Sequence, residues 1–149
     1  MQYKIELRLA TVAEYTHLRT TVEWPAFEQS IIESALAGTL FSVCIMHDYT
    51  IVGMGRVIGD NAIYFHIQDV IVDPAYQLQG IGRIIVERCM EYIAKFSVKH
   101  TNIGLMCSKN REPFYKQFGF IERPNALHGA GILRLLHSFI IQPEKLFIP

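Results

Sequence analysis

The sequence predicts an α+β fold: a mixed central sheet of about six to seven strands flanked by about four helices. Three observations predict it. Residues Tyr3 to Leu9 alternate apolar and polar, the period of a half-buried strand. Three β-rich runs between 40 and 72 are joined by short turns, as in an antiparallel meander. An amphipathic stretch from about 80 to 96 then separates two β-rich runs, which makes one βαβ crossover. The 149 residues suit one domain, read as spanning residues 1–149, and are too few for two full-sized ones.

Each element has a local reason. Thr11 with Glu14 three residues on has capping-box spacing, predicting a helix to about Val22 that stops before Trp24-Pro25. A second helix is expected from Phe27 to Ala37, closed by Gly38. Leu40–Met46 and Ile51–Ile58 read as a hairpin, and Gly59-Asp60-Asn61 turns into a strand from Ala62 to Val72 that Asp73-Pro74 ends. In the following helix Ile81, Ile84, Ile85, Cys89, Ile93 and Phe96 form one stripe, with Glu91 and Lys95 at the favourable i,i+4 spacing. A strand over Thr101–Cys107, a short helix over Arg111–Gln117, and strands over Phe120–Arg123 and Ile132–His137 complete the reading.

Apolar residues make up 50% of the chain and charged residues 19%, which excludes intrinsic disorder. Fourteen Lys+Arg balance fourteen Asp+Glu without a run of like charge, so a nucleic-acid or anionic-membrane partner is not expected. Cys44, Cys89 and Cys107 sit in apolar stretches without a Cys-x-x-Cys pair, which argues for a reducing compartment. No signal pattern opens the sequence, and no apolar run reaches the roughly 18–20 residues of a membrane span. A soluble, cytoplasmic protein is expected.

The most informative segment runs from Val70 to Arg83. A buried strand ends at a Pro turn, and Gly80 and Gly82 then open the amphipathic helix. Glycines at a helix start let a ligand reach backbone N–H groups that lack intrahelical partners, and the helix dipole adds about half a positive charge there. Such a site suits a diphosphate; a tight strand-to-helix turn would use the same glycines. A dinucleotide fingerprint fails because Ile85 stands where its third glycine belongs, and no Gly-Lys-Ser/Thr of a P-loop occurs.

Gln77-x-x-Gly80-x-Gly82, after a strand ending Val72-Asp73-Pro74, resembles the acyl-CoA diphosphate loop of the GNAT N-acetyltransferase superfamily. Asn110-Arg111-Glu112-Pro113-Phe114-Tyr115-Lys116-Gln117-Phe118-Gly119-Phe120 resembles the family's Asn…Phe-Tyr-x-x-x-Gly-Phe helix and strand. The resemblance implies a GNAT-like sheet and acetyl-CoA as cosubstrate. It implies that the amides of Leu78, Gln79, Gly80, Ile81, Gly82 and Arg83 hold the diphosphate while Gln77 braces the loop. It also implies that the backbone of Val70, Ile71 and Val72 pairs with the pantetheine arm, and that Asn110 and Tyr115 contact CoA. Leu78 stands where Gly or Arg is commoner, a departure of little weight where the amide is the ligand.

Acetyl transfer to an amine needs a neutral amine, a donor to the oxyanion and a proton for the leaving thiolate. By the resemblance, Tyr115 is the general acid, against packing of a Phe114-Tyr115 pair into a core; a main-chain N–H around Val70 is the oxyanion donor. His66 is the candidate base, against a satisfied strand histidine or a water chain. Period two puts Tyr64, His66, Gln68, Val70 and Val72 on one face unless a bulge intervenes. Asp69 binds the acceptor's ammonium or ties down a loop; Trp24 lines the acceptor site or anchors packing. The six histidines show no metal spacing, and no metal is expected.

The expected function is acetyl transfer from acetyl-CoA to a primary amine, on a small molecule, by direct transfer in a ternary complex. The alternative is a non-catalytic acyl-CoA-binding sensor or partner module. A monomer or a homodimer is expected, the apolar stretches Phe139–Ile141 and Leu146–Ile148 offering either an interface or a packed tail.

Overall fold

A computed structural model describes residues 2–135, which fall into two compact units parting between Met106 and Cys107. The first holds a five-stranded sheet in sequence order: β1 (Lys4–Glu6), β2 (Phe41–His47), β3 (Thr50–Gly59), β4 (Tyr64–Val72) and β5 (Asn102–Gly104). Pairings are antiparallel from β1 to β4 and parallel between β4 and β5. The meander and the single crossover stand as the sequence predicts.

Helices α1 (Val12–Thr21) and α2 (Gln29–Ala37) precede β2, and α3 (Ile81–Ala94) makes the crossover. The capping box at Thr11 and Glu14 forms in both directions. Leu18, Ile32, Leu36, Met54 and Ile71 lie in one buried cluster on the sheet face that α1 and α2 cover. On the opposite face α3 needs glycines beneath it. A Cβ at Gly53 would lie 2.9 Å from Ile81 Cγ2, and one at Gly55 only 2.3 Å from Ile85 Cγ2. Bare backbone at these two positions of β3 lets α3 sit close and brings its N-terminus to the end of β4.

One irregularity in β4 shapes the site. Arg56 pairs with Gln68 and Met54 with Ile71, so Gly55 alone stands opposite both Asp69 and Val70. Asp69 takes the left-handed φ of +53°, tolerated by aspartate better than by most residues. The bulge overturns the one-face expectation for this strand. His66 and Gln68, paired with Ile58 and Arg56, share the face of Met54 and Ile71. Val72 pairs with Gly53, and Val70 Cγ2 lies 3.7 Å from a Cβ built on Gly55, so both lie on the α3 face.

The second unit carries α4 (Glu112–Lys116), with Pro113 in its first turn and Gly119 at φ +87° beyond its end. Phe114 makes edge contacts with Tyr115 and Phe118, and Tyr115 with Phe120. Lys116 pairs with Glu122 at 2.7 Å.

Two expected strands do not form among the described residues. Residues 120–123 are irregular, with Ile121 70% exposed, and Pro124 follows directly. Residues 132–135 are irregular and exposed. Among the described residues neither run is paired with a strand, and an unpaired short strand leaves its backbone groups without partners. The described sheet therefore has five strands where six to seven were expected. His137 and the apolar stretches 139–141 and 146–148 lie outside the described residues.

Candidate acyl-CoA site

The site begins where β4 stops. Asp73 Oδ1 accepts from the Ala75 amide at 2.9 Å and caps a 3-10 turn over Pro74–Tyr76. Gln77 Nε2 then donates back to the Val72 carbonyl at 3.0 Å, closing the loop onto the strand end as a brace. Leu78 turns left-handed at φ +61° with its side chain fully exposed, and Gly80 does so at φ +85° as the N-cap of α3.

The amides of Leu78, Gln79, Gly80, Ile81 and Gly82 find no protein acceptor among the described residues. Intrahelical bonding starts with Ile84 to the Gly80 carbonyl at 3.1 Å. Gly80 offers no side-chain cap, and a Cβ there would meet nothing within 4 Å. Donors left open at the positive end of a 14-residue helix, under a turn without side-chain cover, fit a diphosphate. Arg83 follows in the first turn, 3.6 Å from Glu87.

The far edge of β4 is the second feature. Pairing with β5 covers only Tyr64 to His66. Beyond that no described strand pairs with β4 on this side, so the edge from Ile67 to Val72 lacks a strand partner, with the Val72 carbonyl accepting from Gln77. Ile71 packs into the core, whereas Val70 and Val72 are half-buried.

Asp69 is buried and committed to the protein's own groups. Its Oδ2 accepts from Arg56 Nε at 2.6 Å and from Tyr15 Oη at 2.9 Å, and Arg19 Nη1 lies 3.7 Å from Oδ1. Arg56 also donates to the Ala35 carbonyl at 2.9 Å and to Thr39 Oγ1 at 3.1 Å. Burial, then the neighbouring carboxylate, hold the Tyr15 phenol above its ordinary pKa, so it stays a donor. The carboxylate thereby ties β4 to β3 and α1.

Arg19 carries that tie outward. It donates to the Pro25 carbonyl from Nε at 3.1 Å and Nη2 at 2.8 Å, and its guanidinium lies over the rings of Tyr15, Trp24 and Phe27. Trp24 thus packs on Arg19 and against the core cluster. The sequence reading missed Tyr15, Arg19 and Arg56. Arg56 had a signal, as the only charge within the apolar run Ile51–Ile58.

His66 is half-buried on β4, opposite Ile58 and Gly104. Burial lowers its pKa below the ordinary histidine value, against a smaller opposing effect of Gln68. Its imidazole is therefore neutral at pH 7 and able to accept a proton. In the second unit, exposed Asn110 takes φ +68° just before α4, and Tyr115 lies on α4 among Phe114 and Phe120. Among the described residues no three His, Cys, Asp or Glu side chains group as a metal site, and no helix is long and apolar enough to cross a membrane.

Comparison with known proteins shows the family. A family profile described as an acetyltransferase (GNAT) domain matches residues 12–135. A histone acetyltransferase of Glycine max is 33% identical over 79 residues, 53% of this chain and 33% of that protein. A chloroplastic serotonin N-acetyltransferase of Oryza sativa is 31% identical over 83 residues, 56% of this chain and 40% of that protein. The chain thus spans less than half the length of either relative. A crystal structure of a probable acetyltransferase from Staphylococcus aureus superposes with a TM-score of 0.81 at 29% identity, covering 90% of this chain and all of that one. With the profile spanning both motifs and the loop open at the head of α3, the chain belongs to the GNAT acetyltransferase family.

Proposed function

We propose that the protein is an acetyl-CoA-dependent N-acetyltransferase acting on a primary amine of a small-molecule acceptor, by direct transfer in a ternary complex. The observation that carries this is the run of open amides from Leu78 to Gly82, braced by Gln77, at the head of α3. These amides, with that of Arg83, hold the diphosphate of CoA. The free edge at Val70, Ile71 and Val72 aligns the pantetheine arm, and Asn110 adds a side-chain contact. When bound, acetyl-CoA supplies the thioester carbonyl that the amine attacks.

The chain's own residues then move protons. His66, kept neutral by burial, takes the proton of the incoming ammonium, directly or through water. Tyr115 Oη is the proton source on the thiol side. The relatives include one named for histones and one for serotonin. The small acceptor rests on the balanced charge of the chain, which offers no acidic field to a basic tail. Buried, unpaired Cys44 and Cys89, whose thiols burial pushes up to about 11 and about 12, suit a reducing compartment such as the cytoplasm.

The test is CoA-linked stabilisation followed by an amine screen. CoA at about a hundred times its Kd adds roughly 2.7 kcal/mol, and NAD or ATP at the same concentration adds nothing comparable. Release of CoA thiol from acetyl-CoA is then measured against small amines and a histone-tail peptide. Turnover of the peptide alone would overturn the small-molecule reading. Binding of CoA without turnover of any amine would favour a sensor module. Tyr115→Phe is expected to lower kcat by about a hundredfold or more while leaving CoA affinity nearly unchanged.

A further inference from the structure

The first half of the loop is set by its own bonds: Tyr76 N to the Asp73 carbonyl at 2.8 Å, the Asp73 cap, and the Gln77 brace. The second half, with two left-handed residues and open amides, has no such internal support. A side chain from the far end of the chain reaches it instead. Tyr3, just before β1, donates its phenol hydrogen to Gln79 Oε1. Its ring lies 5.8 Å from that of His47 at the end of β2, and the His47 ring lies 5.4 Å from that of Tyr76. Tyr76 Oη is 3.5 Å from His47 Nδ1. His47 thus stands between the two tyrosines that reach the loop.

We infer that Tyr3 and His47 are positioning residues for the diphosphate loop, Tyr3 holding the Gln79 side chain and His47 packing beside both Tyr3 and Tyr76. The backbone donors can meet a diphosphate together only while Leu78, Gln79 and Gly80 keep their conformation, and ordering that segment on binding would cost affinity. The residue preceding edge strand β1 and the end of β2 therefore contribute to donor binding without touching the ligand. The inference rests on the CoA reading above.

The experiment measures CoA affinity by calorimetry, KM and kcat for acetyl-CoA with an amine turned over in the screen, and melting of the free protein. The variants are Tyr3→Phe, His47→Ala, Gln79→Ala and the Tyr3→Phe/Gln79→Ala pair. Tyr3→Phe keeps the ring on His47 and removes the hydrogen bond to Gln79. It is expected to raise the Kd of CoA and the KM of acetyl-CoA about three- to tenfold, with kcat within about twofold. The double variant should be no weaker than the worse single one, since both remove the same link. His47→Ala should weaken CoA at least as much as Tyr3→Phe. Lowered melting with unchanged Kd, or additive single effects, would overturn the inference and leave a merely structural cluster. Failure of the unaltered protein to bind CoA would instead overturn the CoA reading.

Discussion

The loop at the head of α3 and the cluster around Asp69 lie at opposite ends of the last stretch of β4 and are built from different materials. The loop works through main-chain N–H groups, so side-chain identity matters there mainly for the conformation it permits; Leu78 is fully exposed and touches nothing that defines the turn. The Asp69 cluster works through side chains of α1 and β3 converging on one buried carboxylate of β4, with Arg56 also bonded to a backbone carbonyl of α2. The difference teaches where substitution is tolerated. A backbone site survives most side-chain changes that respect φ, whereas a buried ionic cluster fails when any one charge loses its partner.

The largest effect should come from the cluster. Asp69→Ala leaves the Arg56 guanidinium buried without its carboxylate and puts alanine at a left-handed φ. The expected destabilisation is about 3–5 kcal/mol in denaturant unfolding. A loss below about 1 kcal/mol would mean the cluster does not hold β4 to α1. Next comes His66, on the cluster's face of the strand. Because burial lowers its pKa, activity should persist to pH values below the ordinary histidine range and fall only as pH drops through the lowered value. Folding stability should decline in the same direction, being complete above about 6.5, the unfolded pKa, and reduced below it. His66→Gln should lower kcat about a hundredfold and abolish that acidic limb; a variant keeping the limb would assign the proton to another group.

Two smaller effects test the loop itself, with opposite signs. Gly80→Ala strains a left-handed N-cap without any clash and should cost about 1 kcal/mol of stability while weakening CoA. Leu78→Gly relieves the same strain and removes an exposed apolar side chain. Thermal melting should rise or hold, by at most about 1 kcal/mol, with CoA affinity kept. A clear loss of CoA affinity in Leu78→Gly would show that the leucine side chain, and not only its amide, meets the ligand.

Much of the first unit was legible because its signals are local. The Thr11–Glu14 capping box, the hairpin around Asp48, the Asp73-Pro74 stop and the stripe on α3 each lie within a few residues, and each formed close to its expected bounds. The loop was legible for the same reason: Gln77, Gly80 and Gly82 are near neighbours and their task is conformational. The strand expected at 120–123 and the described part, 132–135, of the one expected at 132–137 did not form, because a strand needs a partner that neither local composition nor a short motif supplies.

By itself, the sequence determined a β4–loop–α3 unit whose open amides follow from glycine placement and helix geometry. Only the tertiary structure decided the rest. It put the bulge at Asp69, turned Val70 and Val72 away from His66, and drew Tyr15, Arg19 and Arg56 onto one carboxylate. It also brought Tyr3 to Gln79 across most of the first unit. The physical reason is range. Turns and caps are satisfied within a few residues of chain, whereas a buried charge or a distant tyrosine finds its partner only after the sheet has placed residues far apart in sequence beside one another.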